Sequence, residues 1–433
     1  MQQKTAIVWF TNNLRIQDSK ALYEACSQYS KVIGIYCFDK NLFNTSQFGF
    51  KKIEKFRTQF LIESVNNLAE NLKKLNISLF TYFDHPNSKV VEFCKKYNAS
   101  ALFFQKEFTH EENSIIKRIE QKLSKTVTIH SYYDQFLYHP DTVNFDILHT
   151  PEVFTNFRKR IEKVVSTKPS LVIVPKETSN WINVDTQLPS LMDLGSEVFE
   201  KHQKSAFPFK GGETQASLRL QHYFFKTKKL NFYKKTRNEL LGIDYSSKFS
   251  PWLANGCISA KSIYWEVKKF EQEFGSNQST YWLIFELIWR DYFKFLSLKH
   301  QNNLFKATGI KQIEYSWNND KKLVNDWING ETSNDFVNAN MIELKKTGWM
   351  SNRGRQNVAS FFAKELFLDW RIGAAYFESM LIDYDVHSNY GNWQYVAGVG
   401  NDPRDRKFNV QWQAEKYDGH GHYRRTWLQT SLF

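Results

Sequence analysis

The segment AIVWFTNNLRIQD, Ala6–Asp18, decides the fold class of this chain. A short apolar run, Ala6–Phe10, ends in a polar turn, and runs of the same kind return at Val32–Phe38, Ile77–Phe83, Ala101–Gln105 and Val127–Tyr132. Helix-like segments separate them, most clearly Lys51–Leu75 and Asn87–Tyr97. Continuous apolar strands alternating with amphipathic helices predict a parallel sheet covered on both faces, because crossover connections place helices there. The expected first domain is therefore a doubly wound α/β unit spanning residues 1–134. The turn after the first strand lacks the glycines of a GxGxxG fingerprint, so this architecture is not expected to hold a dinucleotide in the Rossmann manner.

Beyond residue 134 the pattern weakens. Pro140, Pro151, Pro169, Pro175 and Pro189 interrupt any long helix, and residues 135–207 read as an interdomain connection. Helical periodicity then dominates residues 208–433, with helices expected over Glu213–Phe225, Lys261–Phe274, Tyr281–His300, Lys321–Ile328, Ala339–Thr347, Asn357–Phe367 and Ile372–Leu381. A length of 433 residues suits two or three such units.

The chain carries a net charge of +13, and residues 201–433 hold most of it, with 33 Lys and Arg against 23 Asp and Glu. Eleven of the thirteen Trp residues lie in the same half. Basic side chains beside aromatic ones suit a polyanion with unpaired bases, although aromatic residues at helical spacing are more often core. No run of about 18 apolar residues is present, and MQQKTAIVWF does not resemble a signal segment. A soluble, cytoplasmic, monomeric protein without a membrane partner is expected. Cys26, Cys37, Cys94 and Cys257 have no CxxC spacing and no His cluster, so neither a zinc site nor any other metal site is expected.

Two segments spend polar side chains among Trp, Phe, Tyr and Val: DYDVHSNYGNW at Asp383–Trp393 and TGWMSNRGRQNVASFF at Thr347–Phe362. Buried polar groups need partners, which points to a polar ligand. Asn352, Arg353 and Arg355 supply donors, Asp383 and Asp385 acceptors, and Asn389 follows Asp385 by one helical turn. A fused heteroaromatic with amide-like edges needs that mixture, while an Arg355–Asp383 ion pair would account for two of these residues without a ligand. In YSSKFS, Tyr245–Ser250, hydroxyl and backbone N–H groups suit phosphate oxygens, with Lys248, Tyr233 and Arg237 nearby in sequence; a plain helix cap is the simpler reading. Glu286, Trp289 and Arg290 fall at i, i+3 and i+4 on one helical face in apolar surroundings, where a Glu/Arg surface pair is the ordinary explanation.

Five ordered motifs carry a resemblance over nearly the whole chain: FKGGETQASLRL from Phe209, DYSSKFSPWLANGCIS from Asp244, STYWLIFELIWRDYF from Ser279, TGWMSNRGRQNVASF from Thr347 and AGVGNDPRDRKFN from Ala397. The chain resembles the photolyase/cryptochrome family, and within it the DASH cryptochromes. The resemblance implies an α/β antenna-type domain followed by a helical FAD-binding domain. It implies that Tyr233, Ser246, Ser247, Lys248, Phe249 and Ser250 lie near the FAD phosphates and ribityl chain. Arg290 would contact the cofactor, and Asn352, Arg355, Asp383, Asp385 and Asn389 would surround the flavin ring, with Asn389 opposite N5.

The implied activity is light-driven splitting of cyclobutane pyrimidine dimers by electron transfer from reduced FAD. Glu286 would hydrogen-bond the dimer, and Trp289, Arg353, Gln356 and Tyr395 would line the substrate cavity. Gln356 and Tyr395 offer weaker apolar contact than the Met and Trp of double-strand photolyases, and extrusion from a duplex already costs a few kcal/mol, so single-stranded or looped DNA is the expected substrate. RNA or other DNA would be further partners. Trp393, Trp370 and Trp317 match the family's electron-transfer chain, although each alone would be explained by core packing. Glu107, in QKEFTHEE, matches an acidic residue that implies a methenyltetrahydrofolate antenna. Ser351 and Gln356 stand where (6-4) photolyases carry His, which disfavours that chemistry, and His387, His420 and His422 receive no role.

Thr11 and Asn13 depart from the family's WFRNDLR, Asn338 and Ile342 replace an Asp and an Arg at i, i+4, and Gln429 replaces a common Pro. A blue-light regulator that binds FAD and nucleic acid without efficient repair is the alternative function. A light-independent flavin oxidoreductase and a flavin-free binding module are weaker readings.

Overall fold

The computed structural model of the protein describes residues 4–123, 125–164 and 167–429. Five strands, β1 (Thr5–Phe10), β2 (Lys31–Phe38), β3 (Leu79–Phe83), β4 (Ala99–Gln105) and β5 (Thr128–Tyr132), form one sheet in the order β3-β2-β1-β4-β5. All pairings are parallel. The apolar run of β1 is continuous because both faces are buried: Ala6, Val8 and Phe10 enter one core, Ile7 and Trp9 the other. The chain winds outward from β1 to β3 and then returns beside β1 as β4, so the sheet has a topological switch point at the carboxyl ends of β1 and β4.

The polar turn after β1 docks the first unit onto the second. The buried Arg15 guanidinium donates to the carbonyls of Asp18, Asp134 and Gly256 at 3.0–3.3 Å and pairs with the Asp134 carboxylate at 3.4 Å. Glu213 accepts from the Ile16 and Gln17 amides at 3.0 and 2.8 Å. Gly256 has φ +65°, and a Cβ there would sit 1.9 Å from the Asn12 carbonyl oxygen, so only glycine allows this approach. The backbone groups a Rossmann turn would offer to a pyrophosphate are thus turned toward the helical part of the chain.

Between the two parts, a helix at Phe154–Val164 packs on the later helices, where sequence reading gave only a connection. Phe154 stacks on Trp289 with ring centroids 3.6 Å apart. The expected helices are present with shifted ends, and caps explain the shifts. The helix read from Tyr281 starts at Gln278, because Asn277 and Thr280 form a reciprocal capping box. The helix read as Asn357–Phe367 runs Asn352–Lys364, started by the Ser351 hydroxyl accepting from the Gly354 amide at 3.0 Å. Asn334 caps Asp335–Thr347, four residues before the expected start at Ala339. The Glu213–Phe225 pattern is α-helical to Gln221 and then opens into a π turn, His222–Lys226.

Two departures from the family pattern have local accounts. Asn338 exchanges hydrogen bonds with Thr332, accepting from its amide at 2.9 Å and donating to its carbonyl at 2.8 Å, while Ile342 packs on the apolar cluster of the helical unit. These positions thus hold a neutral hydrogen-bonding side chain and an apolar contact in place of charges. Among the described residues no helix is long and apolar enough to cross a membrane, no group of His, Cys, Asp and Glu could hold a metal ion, and all four cysteines are free.

Candidate cofactor and substrate site

Three helices converge on the two polar segments. Asp385 caps the helix Val386–Ala397, its Oδ1 accepting from the Ser388 amide at 2.9 Å. Its Oδ2 accepts from the buried Lys294 ammonium, on the helix Gln278–His300, at 2.8 Å. Burial alone would raise the Asp385 carboxyl, but the Lys294 ammonium and the Arg290 guanidinium hold it well below the usual carboxylate range. Asp383 lies just before this helix and accepts from Arg355 Nη2 at 2.9 and 3.0 Å, while Arg355 Nε donates to the Met350 carbonyl at 2.9 Å. The ion pair open to a ligand-free explanation is therefore real, and it leaves the Arg355 guanidinium partly exposed toward the site. Asn389, one turn after Asp385, donates to the Ala374 carbonyl at 3.0 Å, which fixes its amide plane.

The segment Ser246–Ser250 forms the loop entering a five-residue helix, Ser250–Ala254. Arg219, which sequence reading did not single out, holds it: the guanidinium donates to the Ser246 and Ser247 carbonyls at 2.9 and 3.0 Å and pairs with Asp244 at 2.5 Å. Phe249 and Tyr233 are buried in the same core. Lys248 has φ +63° and a buried ammonium with no hydrogen-bond partner, lying over the rings of Tyr245 and Trp349 at 3.3 and 4.5 Å. An orphaned ammonium and a pinned loop of serines fit an anionic, polar group in this place.

Glu343 sits behind this loop, accepting from Tyr423, and burial pushes its carboxyl up to about 7. A folded-state value above the unfolded one means the native protein binds more protons over that interval, so Glu343 stabilises the fold below about pH 4.5 and loses that contribution as pH rises through about 7. Glu343→Gln should flatten this part of the profile. Thermal melts from pH 5 to pH 8 are expected to show the variant gaining on the wild type with rising pH; parallel curves would reject the assignment.

On the helix Gln278–His300, Glu286 pairs with Arg237 at 2.9 Å, not with Arg290 one turn away. Burial raises the Glu286 carboxyl against the opposing effect of Arg237. Trp289 lies edge-to-face with Tyr395 at 6.3 Å, and Tyr395 accepts from Arg406 at 3.0 Å. Arg353 reaches Asn238 and Gln413 at 3.4 Å, and the carbonyl oxygen of the Gln356 side chain is buried without a partner. Asn352, the first residue of its helix, is exposed. Arg290 donates its guanidinium to the Gln135 and Leu253 carbonyls and lines the interdomain cavity together with Asp385 and Lys294.

That cavity, about 800 Å³, opens at the switch point of the sheet and runs between the two parts. Glu107 and Gln105 form part of its wall, joined by a 2.7 Å hydrogen bond, with Lys294, Asp385 and His387 opposite. Burial raises the Glu107 carboxyl. His387, unassigned from sequence, stacks on Phe108 at 4.4 Å and bonds Ser297 at 2.8 Å; burial holds its imidazole neutral.

Trp393 and Trp370 are buried, while Trp317 is partly exposed. Trp393 lies against Gly373, where a Cβ would come within 2.2 Å of its ring, and Gly373 is one turn along the helix that Trp370 begins. Trp370 Nε1 donates to the Ala307 carbonyl at 3.1 Å. A parallel bridge, Asn318↔Leu368, holds the Trp317 segment beside the residues that lead into Trp370.

Comparison with known proteins accords with this geometry. Residues 6–176 match the family described as DNA photolyase, and residues 282–431 match the FAD binding domain of DNA photolyase. The chain is 43% identical over 431 residues to the cryptochrome DASH of Gloeobacter violaceus, covering 99% of this chain and 86% of that protein. It is also 43% identical to the chloroplastic/mitochondrial cryptochrome DASH of Arabidopsis thaliana, covering 98% and 75%. Among solved structures, a cryptochrome of Synechocystis sp. PCC6803 superposes with a TM-score of 0.94 at 42% identity, over 99% of this chain and 89% of that one. A class III photolyase of Agrobacterium tumefaciens gives 0.83 at 26% identity, over 99% and 87%. The protein therefore belongs to the photolyase/cryptochrome family, in its DASH cryptochrome branch, and it carries that family's FAD-binding domain.

Proposed function

We propose that the protein repairs cyclobutane pyrimidine dimers in single-stranded or looped DNA, with FAD held by its helical domain, residues 208–433. The observation that carries this reading is Glu286, a largely buried carboxyl group paired with Arg237, one helical turn from Trp289, whose ring lies edge-to-face with that of Tyr395. When bound in its reduced form, FAD would supply light-driven one-electron chemistry to the dimer. Tyr233 and the Ser246–Ser250 loop would hold the phosphates, while Arg355, Asp383, Asp385, Asn389 and Asn352 would orient the flavin ring. Burial raises the Glu286 carboxyl while the Arg237 ion pair opposes the shift; with a proton on it, Glu286 would donate a hydrogen bond to a dimer carbonyl as negative charge develops there. Trp289 and Tyr395 exclude water from one side, and Arg353 and Gln356 offer polar contacts at the rim. Trp317, Trp370 and Trp393 would pass electrons inward from solvent.

The cleft beside Glu107 suits a folate antenna such as methenyltetrahydrofolate, whose pterin edge presents N–H donors to Glu107 and Gln105. Residues 1–134 would form the antenna domain and 135–207 the connection. A cytoplasmic monomer is the corresponding expectation, although the plant relative is described as chloroplastic/mitochondrial.

The test is anaerobic reduction of the FAD-loaded protein, illumination with dimer-containing single strand, duplex and looped duplex, and measurement of restored thymines against dark controls. Repair of single-stranded and looped DNA with poor duplex repair is expected. No repair by fully reduced protein would favour the second reading, a blue-light photoreceptor, which the cryptochrome names of the relatives keep open. In the same assay Glu286→Gln should lower repair yield roughly tenfold while retaining FAD, because an amide donates a weaker hydrogen bond than a carboxylic acid and no longer pairs with Arg237, a difference of about 1–1.5 kcal/mol. Unchanged yield would remove Glu286 from the reaction.

A further inference from the structure

The helix Val410–Asp418 carries Trp412, which is 50% exposed although it is among the largest apolar side chains of the protein. Its neighbours are cationic. Lys416, one turn along, places its ammonium 4.7 Å from the Trp412 ring centroid and 5.5 Å from that of Tyr417. Tyr417 in turn lies under the Arg353 guanidinium at 4.7 Å. Arg353 bonds Gln413 of this helix and Asn238, whose chain neighbour Arg237 holds Glu286. A line of alternating aromatic and cationic groups thus runs from open solvent at Trp412 through Lys416 and Tyr417 to Arg353, which bonds Asn238 beside the Arg237 that holds Glu286.

Core packing does not explain a ring left half in water, and a protein partner would require a broader apolar patch than one indole bordered by Lys416, Arg353 and Gln413. Aromatic faces beside cations that track a backbone are the elements of single-strand binding, since every base presents a π face and every linkage a negative charge. We infer that Trp412, with Lys416 and Tyr417, forms a stacking platform for an unpaired nucleotide flanking the lesion, and that it contributes to selection of single-stranded over duplex DNA. In a duplex the flanking base is stacked on its neighbours and paired, so only an unpaired strand offers it to Trp412 without a further unstacking cost. This inference rests on the proposed DNA substrate, and its test separates the two.

The experiment measures equilibrium binding, in the dark and with FAD bound, of a fluorescent single-stranded oligonucleotide carrying one thymine dimer, of the same oligonucleotide undamaged, of the matching duplex, and of the bare dimer dinucleotide. Trp412→Ala is expected to weaken binding of both single strands about 5- to 10-fold, within the range of one lost base stack. The dinucleotide and the duplex should be bound as by wild type, and Trp412→Phe should recover most of the single-strand affinity. Because Trp412 is exposed, FAD content and melting temperature should not change. Wild-type single-strand affinity in Trp412→Ala, or an equal loss for the dinucleotide, would overturn the platform. If wild type binds damaged and undamaged strands alike, the repair reading fails, and a Trp412→Ala loss on both strands would still support the platform.

Discussion

Trp370→Phe is expected to bring light-driven reduction of the bound, oxidised flavin close to background while sparing dimer repair by protein reduced chemically beforehand. Trp370 is fully buried at the start of the helix that Trp393 packs against, and the Asn318↔Leu368 bridge holds the segment of the partly exposed Trp317 beside the residues that lead into Trp370. Phenylalanine keeps most of the volume but is much harder to oxidise than indole, so it interrupts the relay without emptying the core. It also leaves the Ala307 carbonyl without its indole donor and removes part of a ring, for a stability loss of about 1–3 kcal/mol. Flavin absorbance under continuous blue light with a thiol donor reads the first effect, and the repair assay on chemically reduced protein controls for the second. Normal photoreduction in Trp370→Phe would reject this route.

Asp383→Ala should be the most damaging single change to the cofactor site. The Asp383 side chain is 3% exposed and holds Arg355 by two contacts from one nitrogen. Removing one member of a largely buried pair leaves the other's charge uncompensated, which costs about 3–5 kcal/mol where both are buried. Arg355 keeps some access to water, so the lower end of that range applies. The loss should appear as a lower denaturation midpoint and as flavin absent from the purified protein. Asp383→Asn keeps an acceptor for Arg355 and should fall between wild type and the alanine variant. Full flavin content in Asp383→Ala would show that the pair is structural only.

The strand pattern was legible because burial on both faces of a parallel sheet leaves a continuous apolar signature, as the division of β1 between two cores illustrates. The two polar segments of the candidate site were legible for the opposite reason, since Asp383, Asp385 and Arg355 are polar in apolar company. Lys294 and Arg219 were not. Each is one cation in an ordinary amphipathic helix, and its importance comes from partners far along the chain, Asp385 for one and the Ser246–Ser247 carbonyls for the other. Helix starts were misplaced wherever a cap, not apolar periodicity, sets the first residue, as at Asn277 and Ser351. The helix Phe154–Val164 was hidden by the prolines around it, and the pairing of Glu286 with Arg237 is a tertiary choice that helical spacing alone would have given to Arg290.

Gly373 shows what the protein gives up for closeness. A glycine inside a helix costs about 1 kcal/mol relative to alanine, and the helix Trp370–Met380 carries this loss where the Trp393 ring lies against its backbone. Through-space tunnelling falls off steeply with each added ångström, whereas thermal stability responds only additively to one residue's propensity. A methyl group that would reinforce the helix would also wedge apart the indole and the scaffold of its neighbour. Selection at this position would therefore act on the speed of charge migration rather than on the melting point, and thermostabilising redesigns that fill helical glycines should leave Gly373 alone.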